Sequence, residues 1–280
     1  MNSNLTGREI NQCVEQVLEE LKITTLPVNP FSIAKVREIM CKAQSMDGCS
    51  GCFIKAGDNF GILYSPDFGN EGAIRFTVAH ELGHYFLPGH PQRLFPSGSG
   101  RHQSNSGFTS NEPQEREADL FAAGLLMPTK LFLDALRKET NEGFRTIESL
   151  SRLCRTSLTA TAIRFVEYIE NPVAVIVRTG DKINFCCMSE AMKSVKGVWG
   201  LRKGAWVPSA SKTQTFNKNS AKVQNGERVE GFSYLDAWCD GAPQIEMKED
   251  VVGLGRYGKS LTVLFADKPL ESENEEEDLY

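Results

Sequence analysis

Hydrophobic residues change their spacing several times along this chain, and each change marks an element. Ile10, Val14, Val17, Leu18 and Leu21 recur at helical spacing, and Thr6-Gly7-Arg8-Glu9 reads as the capping box that opens this first helix. Asn29-Pro30 starts a second helix with Ile33, Val36 and Met40 facing inward. The period then shortens. Phe53-Ile54 and residues 60–64 flank Gly57-Asp58-Asn59, which predicts a hairpin. Ile74, Val78, Leu82, Tyr85 and Phe86 restore the helical period over residues 71–87, in a mostly buried helix that stops at Pro88-Gly89. Pro113 and Pro128 bracket a further helix. Between these two helices lies PGHPQRLFPSGSGRHQSNSGFTSNEPQ, a segment without periodicity that reads as a long loop covering a cleft.

Residues 129–170 read as three short helices, and Asn171-Pro172 marks a boundary beyond which the texture becomes β. Residues 173–178 and 183–188 flank Gly180-Asp181 as a second hairpin, and a last strand covers 260–266. The expected class is α+β. Residues 1–130 form a mainly helical domain with a small sheet, and 131–171 a helical bundle. Residues 172–270 form a mixed α/β domain, and 271–280 an acidic disordered tail. Trp199, Trp206 and Trp238 read as core aromatics of the third region. Gly253-Leu254-Gly255-Arg256-Tyr257-Gly258 matches the dinucleotide fingerprint by letters. It precedes a strand and opens no helix, so that reading is rejected.

Composition narrows the picture. Of 280 residues 40% are apolar, enough for a sizeable core, and no run approaches the ~20 apolar residues of a membrane span. The polar start Met1-Asn2-Ser3-Asn4 lacks an apolar signal region, so a cytoplasmic protein is expected. The formal charge of −5 comes from the tail, whose six acids leave +1 when set aside. Eight scattered cysteines are expected to be reduced thiols. Cys49-Ser50-Gly51-Cys52 has metal-knuckle spacing without a second such pair, and is read as a turn leading into a strand. Nothing in the sequence sets an oligomeric state.

The candidate chemistry lies in His80-Glu81-Leu82-Gly83-His84. Residues i and i+4 share a helix face, so two imidazoles converge as half of a tetrahedral zinc site, with Glu81 placed to activate a bound water. A third ligand has two candidates. His90 stands where a metzincin places its third histidine, but Leu87 occupies the position of the turn glycine. Glu115 is favoured: Glu115, Ala118, Asp119 and Ala122 share one face of the 113–128 helix, and the alanines permit close approach to the histidine helix. Asp119 would then bond the outer nitrogen of a zinc histidine, whereas Glu117, about 200° around the helix, would face elsewhere. His90, His102 and Tyr85 are candidates to stabilise an oxyanion.

HELGH followed by E-x-E-A-D-x-F-A-A-x-L-L-M-P, with Leu26-Pro27-Val28-Asn29-Pro30-Phe31 upstream and Arg75-Phe76-Thr77 leading into Ala79-His80, resembles the ImmA/IrrE metallopeptidases over residues 8–170. The resemblance implies a zincin-like, gluzincin-type endopeptidase with His80, His84 and Glu115 as Zn2+ ligands and Glu81 as general base. It also implies a helix-turn-helix repressor as protein substrate, cleaved to release a stress or mobile-element response. Behind the active site it implies a helix-turn-helix-like bundle and a GAF-like sensor domain. A rival reading is a DNA-binding transcriptional regulator with a structural or sensory metal site. Residues 150–164 have helix-turn-helix rhythm, and the stretch 145–164 carries Arg145, Arg152, Arg155 and Arg164 against Glu148 alone. The turn lacks its customary glycine, with Arg155 near that place, and the chain as a whole is not basic.

Overall fold

Thr6 caps the first helix as its spacing requires: its backbone N–H and that of Glu9 exchange bonds with the two side chains, and α1 (Gly7–Glu20) begins there. The structure, a computed structural model, describes residues 4–68, 70–104 and 110–266. Asn29 accepts from the backbone of Phe31 and Ser32 to start α2 (Pro30–Val36). Val36 and Met40 do not face inward; they are 64% and 74% exposed. The helix ends at Arg37 and Glu38 turns the chain at φ 58, so Ile39 takes the buried place and Met40 opens a strand.

A four-stranded sheet is formed by β1 (Met40–Ala43), β2 (Gly51–Ala56), β3 (Asn59–Tyr64) and a strand contributed later in the chain. Gly57, at φ 60, allows the two-residue turn that joins β2 to β3 as an antiparallel hairpin. Then come α3 (Glu71–Phe86), α4 (His90–Leu94), β4 (Gly100–Ser104) and α5 (Pro113–Leu126). The segment after Pro88 is therefore not a structureless loop: its first part forms α4, and β4 pairs antiparallel with β2 at the edge of the sheet, in the order β1-β3-β2-β4. Residues 105–109 of the expected cover lie outside the described residues, as does the acidic tail expected at 271–280. Ile10, Val14, Ile33, Phe53, Ile62, Val78, Leu82, Phe121 and Leu125 close one core, each large side chain contributing about 1.5–3 kcal/mol by burial.

Three further helices, α6 (Thr129–Leu136), α7 (Phe144–Cys154) and α8 (Leu158–Val166), match the three expected. Arg155 sits between the last two at φ 53, in the left-handed conformation that glycine takes at lower cost. The chain gathers into two compact units, one from residues 1–139 and 148–158, the other from 140–147 and 159–280. The second unit holds β5 (Val173–Thr179), β6 (Lys182–Met188), α9 (Glu190–Lys193), α10 (Lys212–Asn217), α11 (Ser220–Gln224), β7 (Arg228–Tyr234), α12 (Leu235–Trp238), β8 (Glu246–Gly253) and β9 (Ser260–Phe265). Its sheet is antiparallel throughout, in the order β6-β5-β9-β8-β7. The central strands β5 and β9 are buried almost end to end.

Two of the three tryptophans are not core residues. Trp238 is buried, but Trp199 and Trp206 are 69% and 68% exposed. Trp206 has the Lys182 ammonium 4.9 Å from its ring centre, a contact that keeps a cation and a ring at the surface. The glycine-rich run 253–258 leaves β8 through a 3-10 turn into β9 and opens no helix. The class is mixed α/β, with twelve α-helices and two sheets among the described residues, none of the helices long and apolar enough to cross a membrane.

Candidate metal centre

The site is built where α3 crosses α5. Asn70 caps α3 through the backbone N–H of Gly72, fixing the start of the helix. At the crossing Gly83 lies against Ala118, where a Cβ on residue 83 would stand 3.1 Å from the Ala118 Cα. Small residues on both helices let the backbones approach, and long side chains from neighbouring turns can then meet between them. His80, Glu81 and His84 are fully buried on α3, and Glu115 and Asp119 are buried on α5.

His80 Nε2 and His84 Nε2 face each other at 3.1 Å. Glu115 completes a triangle, with Oε2 3.3 Å from His80 Nε2 and Oε1 3.2 Å from His84 Nε2. A tetrahedral zinc with arms of ~2.0–2.1 Å places its ligand atoms about 3.4 Å apart, so the three donors fit such an ion. They are the one group of three or more metal-type donors among the described residues. Asp119 Oδ1 lies 2.8 Å from His80 Nδ1, holding the ring by its outer nitrogen.

The electrostatics follow from burial. Burial pushes His84 down to about 3, although Glu115 opposes the shift. At His80 burial also disfavours the charge, but hydrogen bonds to the Asp119 and Glu115 carboxylates outweigh it and raise the group to about 10. Burial raises the Glu115 carboxyl as well, yet bonds with His102, His80 and His84 hold it far below the usual range. Glu81 is pushed up to about 7 by burial, against the pull of His80 and a bond from Ser104. Its Oε2 accepts from Ser104 Oγ at 3.3 Å, while Oε1 is buried without a hydrogen-bond partner among the described residues. Gly51 makes room for that oxygen: a Cβ there would stand 2.2 Å from Glu81 Oε1 and 2.7 Å from Thr77 Cγ2.

The remaining candidates take different places. His90 is not among the converging donors. Gly89, at φ 80, starts α4 so that His90 swings behind His84, its Nδ1 3.0 Å from the Nδ1 of His84. Tyr85 points into the apolar layer instead of the donor group, edge-on to Phe60 at 5.1 Å. His102, on β4, bonds Glu115 Oε1 at 2.8 Å and keeps a quarter of its side chain exposed. Glu117 faces away from the donors, as its angle around the helix requires, but it is buried and bonds His90. Cys49 and Cys52 are buried free thiols outside the donor group.

Sequence reasoning missed Gly51, Gly83, Ser104 and Glu117. The two glycines left a signal, since a glycine inside a strand or a buried helix marks close backbone approach. Ser104 left none, because its role depends on β4 joining the sheet.

Known proteins resemble the chain in two ways. Residues 59–165 match the IrrE N-terminal-like domain of the M78 peptidase family. A Mycobacterium tuberculosis transcriptional regulator shares the fold at 13% identity and a TM-score of 0.55, over 93% of this chain and 76% of that one. No curated protein matches. The matched stretch contains β3, α3, β4 and α5, hence all three converging donors and Glu81. Residues 59–165 are thus similar to the IrrE N-terminal-like domain of a metallopeptidase family, the one that the HELGH and E-x-E-A-D motifs resemble.

Proposed function

We propose that the chain is a zinc-dependent endopeptidase in which His80, His84 and Glu115 hold the metal and Glu81 is the general base. The observation that carries this reading is the triangle of three buried donors at 3.1–3.3 Å with the unpartnered Glu81 Oε1 beside it. When bound, zinc would supply a Lewis acid and a water of lowered pKa, near ~7. Glu81 takes the proton from the attacking water and passes it to the nitrogen of the leaving amine, a role suited to a carboxyl raised by burial to about 7. Ser104 holds the other Glu81 oxygen in place. Of the oxyanion candidates His102 fits best, as it combines contact with Glu115 and exposure. The edge strand β4 offers a peptide a backbone to pair with.

The substrate we propose is a helix-turn-helix repressor, on the strength of the family resemblance. We read the second unit, with its antiparallel sheet, as a GAF-like sensor that regulates cleavage. The rival reading, a DNA-binding regulator, gains a fold-level parallel from the mycobacterial transcriptional regulator. It is disfavoured by the arginines: Arg155 pairs with Glu71, Arg164 with Glu167 and Arg145 with Glu230. Incubation with zinc and a purified helix-turn-helix repressor encoded beside it tests the proposal. Glu81→Gln is expected to abolish cleavage while keeping zinc, and Glu115→Ala to lose zinc by elemental analysis. Persistent cleavage by Glu81→Gln overturns the assignment. Sequence-specific DNA shift, lost when Arg155 and Arg164 are replaced, favours the regulator.

A further inference from the structure

Each histidine donor has a second nitrogen turned away from the donor group, and the two meet different partners. His80 Nδ1 meets a carboxylate directly, Asp119 Oδ1 at 2.8 Å. His84 Nδ1 meets another imidazole, the Nδ1 of His90 at 3.0 Å. His90 Nε2 lies 2.8 Å from Glu117 Oε2, and Glu117 Oε1 accepts the backbone N–H of Leu5 at 2.8 Å. Arg93 Nη2 stands 3.6 Å from the same carboxylate. His84, His90 and Glu117 are all buried, so water does not substitute for these bonds at little cost.

We propose that His90 and Glu117 form a relay that sets the tautomer and orientation of His84, so that Glu117 serves His84 as Asp119 serves His80. The inference rests on the reading of His80, His84 and Glu115 as a metal centre. An imidazole that gives its Nε2 lone pair to a cation carries its proton on Nδ1. His84 Nδ1–H therefore donates to His90 Nδ1, because two nitrogens at 3.0 Å need one proton and one lone pair between them. His90 must then keep Nδ1 bare and its proton on Nε2, which donates to Glu117. The opposite arrangement, a doubly protonated His90, would donate into His84 Nδ1 and push the His84 proton onto Nε2, where it blocks the metal. Glu117 with Leu5 and Arg93 fixes the first arrangement by anchoring an acceptor opposite His90 Nε2.

One stretch of α5 thus serves the whole centre. Glu115 points at the donor group and Asp119, one turn on, backs His80. Glu117, on another side of the helix, backs His84 through the histidine that α4 carries. His90 and Glu117 are positioning residues, since neither belongs to the converging donor group and both act through the outer nitrogen of His84.

The test is a long-range proton–nitrogen correlation spectrum of the zinc-loaded, full-length protein, together with zinc affinity against a chromogenic chelator. In the unsubstituted protein, His84 is expected to carry its proton on Nδ1 and His90 on Nε2. A doubly protonated His90, or a proton on His90 Nδ1, overturns the relay without any variant having to fold. Glu117→Gln and His90→Gln are expected to weaken zinc binding roughly 10–100-fold and to shift the His84 nitrogen signals while those of His80 stay in place. Unchanged affinity in both variants also overturns it. If zinc binding does not respond to His80→Ala, His84→Ala or Glu115→Ala, the metal centre itself is wrong and the relay falls with it.

Discussion

Glu81 is where single atoms decide most. Its Oε1 occupies space that only a glycine at position 51 leaves open. Gly51→Ala is expected to displace the carboxylate and cut kcat by at least ~10-fold while zinc content, read by elemental analysis, stays at the wild-type level. The same carboxyl sets a pH dependence. Burial raises it from 4.5 to about 7, so between those values the folded chain binds more protons than the unfolded one and stability falls as pH rises. Above about 7 the whole cost of the buried charge is present; below about 4.5 it is absent. In chelator-treated protein, Glu81→Gln should thus be more stable than wild type by about 1–3 kcal/mol at pH 8, the gap closing toward pH 5. Denaturant melts at the two pH values check the sign, and a gap that widens on acidification contradicts it.

At the scale of elements, the crossing of α3 and α5 governs the distance between the converging donors. Gly83→Ala puts a methyl 3.1 Å from the Ala118 backbone, so the helices must separate. We expect a loss of about 1–3 kcal/mol in stability and at least a ~10-fold loss in zinc affinity, measured by denaturant melts and chelator competition. Much at this scale was legible. The capping box before α1, the prolines bounding α5 and the hairpin at Gly57 announce their elements through local backbone chemistry. The failures share a cause. Val36 lies on the exposed face of α2, the turn at Glu38 gives Ile39 rather than Met40 the buried place, and β4 is polar because an edge strand needs no apolar period.

For the whole molecule, one buried apolar cluster lies within the first unit and another within the second, and Trp199, Trp206 and Trp238 all lie in the second. Zinc at 100 times its Kd adds about 2.7 kcal/mol to whatever folds around it. Chelation is therefore expected to lower one calorimetric transition, that of the unit holding His80, His84 and Glu115. The midpoint followed by tryptophan fluorescence should stay where it was. A fluorescence midpoint that falls in step would mean that the units unfold together.

The sequence by itself determined the histidine pair, the glutamate between them proposed as the base, and the helix that bears Glu115, because helical periodicity and HExxH spacing are properties of adjacent residues. It also carried the family resemblance. Tertiary structure alone decided that His90 stands behind His84, that Glu117 is buried beside it, and that Gly51 and Ser104 frame Glu81. Those placements depend on which elements come to lie side by side. Residues far apart along the chain meet only once α3, α5 and the sheet have closed on one another, and no local pattern records that meeting.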